Sequence, residues 1–369
     1  MALIALAADK GAPGVTTAAV ALGAVWPRPV LVAECDQAGG DLVYRLPAAA
    51  PDAGDGSGDG GMLNPSRGLL SLAATARRGL RPDQIAEHCQ RLVGGLDILV
   101  GTTNAEQAQA MSWLWGPLGR AFAGLDPVDV IADCGRLGAD TPLIDLLREA
   151  DLVVLLTRAT LEQVAHLRER VATLTAQLRD GPPVGVLVLA DPRDFRTSIN
   201  EVDRILAGAR ERARAAGADD RPGPSVTVLG GLALDPKGAE LLAGRWGGRL
   251  DRSLLIRSAR EVAATLAERI AMTRPAPAAE PPPAPPVPRP AAPAQPPVHA
   301  PGGQPPEQVP LAQQPPVQPP PGPQPPGGPH PSGPYPAGAP VPGPQAPPGG
   351  GPAADGQVPA GGRHEQGRR

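Results

Sequence analysis

Lysine is nearly missing from this chain: Lys10 and Lys237 are the two it has in the first 272 residues. Nucleic-acid binding leaves a footprint of clustered Lys and Arg. A net charge of −3 with no basic block gives none, so DNA is not an expected partner. Cysteine is scarce as well. Cys35, Cys89 and Cys134 have no metal-ligand spacing and suggest no disulfide framework, which fits a reduced, cytoplasmic protein. Cys35 and Cys134 are expected to pack as small apolar residues. Long hydrophobic runs are absent too, with nothing near the ~20 apolar residues of a membrane helix. The apolar start, MALIALAADK, carries no charged leader region and is broken by Asp9 and Lys10. It reads as a strand, not a signal peptide.

What is present falls into two parts. Residues 1–272 are rich in Ala, Leu, Val and Arg. Residues 273–369 turn to Pro, Gly, Ala and Gln and hold 35 of the 51 prolines. That second part cannot bury enough apolar surface to offset its chain entropy, so a disordered tail of polyproline II character is expected. The first part is long enough for one large α/β domain.

Within residues 1–272, short apolar runs alternate with helical patterns. Strands are expected at 3–8, 29–34, 96–101, 128–135, 151–157, 184–191 and 225–232. Helices are expected at about 16–25, 67–93, 105–123, 143–150, 161–178, 199–216, 236–244 and 258–271, with a flexible acidic loop at 51–61. Near-continuous Val/Leu/Ile runs mark strands buried on both faces. Their alternation with helices predicts a mostly parallel, twisted sheet flanked by helices.

In such sheets ligands gather outside the strand C-termini, and four segments fall there. The first is Lys10-Gly11-Ala12-Pro13-Gly14-Val15-Thr16-Thr17. Its glycines allow backbone N–H groups to converge on phosphate, and the helix that follows adds its positive dipole end. Thr16 stands where a Mg²⁺-binding hydroxyl belongs. The second is Glu34-Cys35-Asp36, whose two carboxylates alternation would put on one side of an extended segment. The third is Asp133 at the end of a hydrophobic strand, a Walker B-like position, followed by Gly135, whose N–H suits a terminal phosphate. The fourth is Asp191-Pro192, a wall for a base.

Taken in order, these motifs resemble the ParA/MinD family of deviant Walker A P-loop ATPases over about residues 1–272. The family loop reads K-G-G-x-G-K-T-T. Here Ala12 replaces a glycine and Val15 replaces the lysine that acts in cis. The resemblance implies ATP and Mg²⁺ as cofactors, with Thr16 and Asp133 on the metal. It implies that Lys10 reaches the nucleotide of a partner in a homodimer. It implies hydrolytic roles for Asp36 and Glu34, the latter standing where a second aspartate is usual. The stretch GLLSLAATARRGL and the degenerate loop look most like the TadZ/CpaE branch, which localises secretion or pilus machinery.

Losing a charge-assisted contact of this kind removes roughly 1.5–3 kcal/mol, or ~10- to 150-fold in affinity. The lost charge would also be missed as negative charge spreads over the γ-phosphate oxygens. The sequence therefore predicts a nucleotide-binding localisation or assembly factor with weak or absent hydrolysis. One alternative is an active ATPase with a substitute cation, for which Arg136 is the first candidate and Arg158 and Arg193 weaker ones. Another is a scaffold that no longer binds nucleotide.

Overall fold

A computed structural model of the chain describes residues 1–11, 13–49, 61–215, 224–245 and 248–273. Ala12, the acidic loop up to residue 60 and the proline-rich segment beyond residue 273 lie outside the described residues. The strands are β1 (Leu3–Ala8), β2 (Val30–Glu34), β3 (Gln90–Arg91), β4 (Asp97–Leu99), β5 (Asp129–Arg136), β6 (Leu152–Arg158), β7 (Val184–Ala190) and β8 (Val226–Ala233). The helices are α1 (Val15–Gly23), α2 (Leu42–Arg45), α3 (Leu69–Ala76), α4 (Ile85–His88), α5 (Ala105–Ala110), α6 (Trp115–Ala123), α7 (Ile144–Arg148), α8 (Leu161–Gln177), α9 (Phe195–Ala215), α10 (Pro236–Leu242) and α11 (Leu254–Thr273).

The strands form one sheet in the order β3-β4-β2-β5-β1-β6-β7-β8. The described pairings are parallel except β3 with β4. All seven expected strands are present. The eighth, β3, is a two-residue edge strand inside the region expected to be helical over 67–93. There the helical pattern is cut into α3, a 3₁₀ turn at Pro82–Gln84 and α4. Likewise 105–123 is two helices, α5 and α6, joined through a 3₁₀ turn at Ser112–Leu114.

Side chains on β1 alternate between two apolar layers. Leu3, Ala5 and Ala7 face the layer built with α3, α6, α7, α8 and α9. Ile4, Leu6 and Ala8 face the layer built with α1, α2 and α11. Burying each large aliphatic side chain contributes roughly 1.5–3 kcal/mol, so the two-sided burial of β1 anchors the middle of the sheet. Small residues let α1 lie close: a Cβ on Gly23 would stand 2.5 Å from Val32 Cγ2. Trp115, Cys35 and Cys134 are core residues, whereas Trp113 is exposed.

After β1 the chain crosses toward β2, and after β5 it crosses the other way toward β6. The connections therefore diverge at the adjacent ends of β1 and β5, the place where open α/β sheets leave a crevice. Among the described residues, no helix is long and apolar enough to cross a membrane.

Candidate functional site

The loop after β1 starts at Asp9, with Lys10 and Gly11 exposed. Gly11 has φ +78° and Gly14 has φ +93°, left-handed conformations that favour glycine. Gly14 is the N-cap of α1, and no side chain caps the helix start. The first-turn N–H groups, which have no partners within a helix, thus face the loop. Pro13 is buried, Thr16 and Thr17 are half-buried, and Ala12 lies outside the described residues. Val15 is 6% exposed and belongs to the apolar layer under α1. Its side chain packs into the core and offers the loop no polar atom.

Beside the loop, β5 carries a bulge. Leu6 pairs with Asp133 but Ala8 pairs with Arg136, so β5 fits one extra residue against β1. Gly135 takes the turn with φ +55°. Bulges at strand ends re-aim side chains, and this one turns the Gly135 N–H back onto Asp133 Oδ1 at 3.1 Å. That N–H, expected to await a phosphate, is therefore engaged within the protein. Asp133 Oδ2 is buried and has no hydrogen-bond partner among the described residues. Burial pushes the Asp133 carboxyl up to about 7; the Thr16 hydroxyl and the Gly135 N–H pull it down, and the charges of Glu34 and Asp36 push it further up. A half-satisfied buried carboxylate beside a threonine hydroxyl is a donor set that suits a hard divalent cation. Among the described residues no cluster of three or more His, Cys, Asp or Glu could hold a metal unaided. Phosphate and water oxygens would have to complete the coordination.

The two carboxylates expected to act together make different contacts. Glu34 ends β2, is 2% exposed, and accepts from the N–H groups of Leu42 at 3.0 Å and Gly101 at 2.9 Å. It ties the start of α2 to the segment after β4. Past Cys35 the chain turns: Ala38 N–H donates to Asp36 Oδ1 at 2.8 Å and Gly39 N–H donates to the Asp36 carbonyl. The pleat ends at Glu34, so alternation no longer keeps the pair on one side. Asp36 instead lies over Gly135, where an added Cβ would meet its Oδ2 at 2.0 Å. Partial burial raises the Asp36 carboxyl, against the Ala38 N–H and the charge of Arg136. Arg136 is exposed.

Asp191 and Pro192 follow β7, two strands from β1. Asp191 is exposed and caps its own 3₁₀ turn, accepting from Arg193 N–H at 2.9 Å. One residue escaped the sequence reading. Arg170 on α8 pairs with Asp9 and donates to the carbonyls of Leu137 at 3.0 Å and Gly138 at 3.1 Å. It fastens the loop after β1 to the loop after β5, although Arg170 and Asp9 lie 161 residues apart in sequence. Helical periodicity places Arg170 on α8 but gives no sign of this reach.

No family model and no curated protein matches the chain. Solved structures do. The ParA family ATPase from Chlorobium tepidum TLS aligns with a TM-score of 0.51 at 14% identity, covering 72% of this chain and 98% of that one. The cell division ATPase MinD from Pyrococcus furiosus aligns with a TM-score of 0.50 at 15% identity, covering 73% and 99%. The chain therefore has the ParA/MinD P-loop NTPase fold, an eight-stranded, mostly parallel sheet flanked by helices.

Proposed function

We propose that the protein is a ParA/MinD-like positioning or assembly factor that binds ATP with Mg²⁺ and hydrolyses it slowly or not at all. The observation that carries this reading is Asp133 Oδ2, which lies beside Thr16, has no partner among the described residues and sits at the foot of a helix start that no described side chain caps. The residues fit the cofactor. Gly11, Gly14, Val15, Thr16 and Thr17 present main-chain N–H groups and a helix dipole to phosphate. Thr16 and Asp133 would hold Mg²⁺, which when bound offsets phosphate charge. Asp36, half-buried over the bulge, would orient water. Glu34 positions the loop before α2 and leaves the catalytic work to Asp36.

The slow or absent hydrolysis follows from Val15, which is turned into the core and brings no charge to the phosphates. Lys10, exposed at the loop entrance and without an acceptor among the described residues, is free to reach a second copy. The reading therefore includes a nucleotide-dependent homodimer. Service to a secretion or pilus apparatus, as in the TadZ/CpaE branch, belongs to the same proposal and rests on the sequence resemblance.

Calorimetric titration of the full-length chain with ATP tests the reading. Binding is expected in Mg²⁺ and weaker by at least tenfold in EDTA. No heat at millimolar ATP and Mg²⁺ would favour the scaffold alternative. Turnover that vanishes in Arg136→Ala would favour the active ATPase instead.

A further inference from the structure

We infer that Arg158 supplies a charge for holding ATP that Val15 does not, without restoring fast hydrolysis, an inference that rests on the nucleotide reading above. β6 runs parallel beside β1, with Leu155 next to Ala7. On its other side Leu156 pairs with Leu187 and Arg158 with Leu189. Leu156, Leu187 and Leu189 all belong to the layer under α1. By the two-residue period of a strand, Arg158 stands on that same face. It lies one step beyond Leu156, beside the point where the chain leaves β1 for the loop. Ala8 and Leu156 below it are buried, so Arg158 is the first polar side chain above the core on this face of the strand.

Its guanidinium is incompletely satisfied. Nε is buried and has no acceptor among the described residues. Its main chain is held against the loop by Gln163. The Gln163 Oε1 accepts the Arg158 N–H at 3.0 Å, and its Nε2 lies 3.3 Å from where a Gly11 Cβ would be. A buried cationic N–H without an acceptor is costly, and a phosphate oxygen is a natural acceptor for it.

The other arginines near the loop are engaged elsewhere or more open. Arg170 is committed to Asp9 and two carbonyls. The charge of exposed Arg136 falls on Asp36. Arg193 is exposed on the turn after β7. Arg45 lines a narrow cleft with Thr16 and Thr17 and is the one rival, but it has no buried orphan atom among the described residues.

The test compares Arg158→Met, Arg158→Lys and Arg45→Met in the full-length protein. Each is titrated with ATP and Mg²⁺, and each is melted without nucleotide. Arg158→Met is expected to weaken ATP binding about 10- to 150-fold while the nucleotide-free melting temperature stays level or rises. Arg158→Lys should recover most of the affinity, and Arg45→Met should change it less than about threefold. Unchanged ATP affinity in Arg158→Met overturns the inference while leaving the nucleotide reading intact. So does a loss carried by Arg45→Met instead. A melting temperature that falls in step with affinity would show a structural role; if Arg158→Met does not fold, Arg158→Gln decides by the same criteria. A wild-type protein that binds no ATP overturns the nucleotide reading itself, and this inference with it.

Discussion

Glu34 and Asp133 are partners in register on adjacent strands. They are 2% and 0% exposed, and burial raises both carboxyls. By residue type, depth and position they are near twins. Their oxygens tell them apart. Both oxygens of Glu34 accept main-chain N–H groups, whereas Asp133 has one oxygen satisfied and one without a partner among the described residues. Burial alone does not tell the two carboxylates apart; the unfilled oxygen does. Glu34 is spent on the fold, and under the proposed function Asp133 is left for Mg²⁺.

The largest effect that would break this contrast is at Glu34. Glu34→Ala strands the N–H groups of Leu42 and Gly101, each costing about 1–3 kcal/mol when buried without a partner. A loss of roughly 3–5 kcal/mol in chemical denaturation is expected. A loss below about 1 kcal/mol would mean the carboxylate is not a tie after all.

Asp133→Asn should behave in the opposite way. The folded-state carboxyl lies at about 7, above its ordinary 3.8. Between those values the folded protein holds more protons than the unfolded chain, so stability falls as pH rises through that window. At pH 8 the ionised group opposes folding by an amount of the order of a few kcal/mol. Asparagine removes the charge. The nucleotide-free variant is therefore expected to be as stable as wild type or more so at pH 8, with a flatter stability profile between about pH 4 and 7. Its affinity for ATP and Mg²⁺ should drop at least tenfold. Urea melts across that pH range check the first part and calorimetry the second.

How far the sequence could show this contrast depends on what each feature is made of. The seven long strands were legible because Val/Leu/Ile runs and loop glycines carry local signals. β3 was not, since two residues at a sheet edge have no periodicity to read. The loop glycines, Thr16 and Asp133 were found as a set because strand ends gather them. Arg170 was missed because its partners, Asp9 and the carbonyls after β5, are set by crossovers rather than by spacing. Alternation alone predicts Glu34 and Asp36 on one side, but it holds only as far as Glu34, where β2 ends. An Asx turn at Asp36 ends the strand there.

That turn and the bulge opposite it meet at Gly135, where the contrast can be sharpened. A methyl group there would meet Asp36 Oδ2 at 2.0 Å on a backbone with φ +55°. Gly135→Ala is expected to cost about 1–3 kcal/mol through strain and displacement. It should also move Asp36 and the N–H that satisfies Asp133 Oδ1. Any residual ATP hydrolysis should then fall by more than ATP binding does. Equal losses in both would place Asp36 outside the chemistry.

The smallest effect on stability is expected at Lys10, the counterpart of Glu34 in every respect: exposed, at the loop entrance, and without an acceptor among the described residues. Lys10→Ala should leave the nucleotide-free protein within about 0.5 kcal/mol of wild type, as for other surface substitutions away from special features. If Lys10 serves a second copy, its cost appears only when nucleotide and partner are both present. Sedimentation in ATP and Mg²⁺ should then show wild-type dimer and variant monomer, with ATP binding by the monomer retained. A variant that dimerises like wild type would leave the lone lysine of the loop with no role in assembly, and the homodimer would need a different contact.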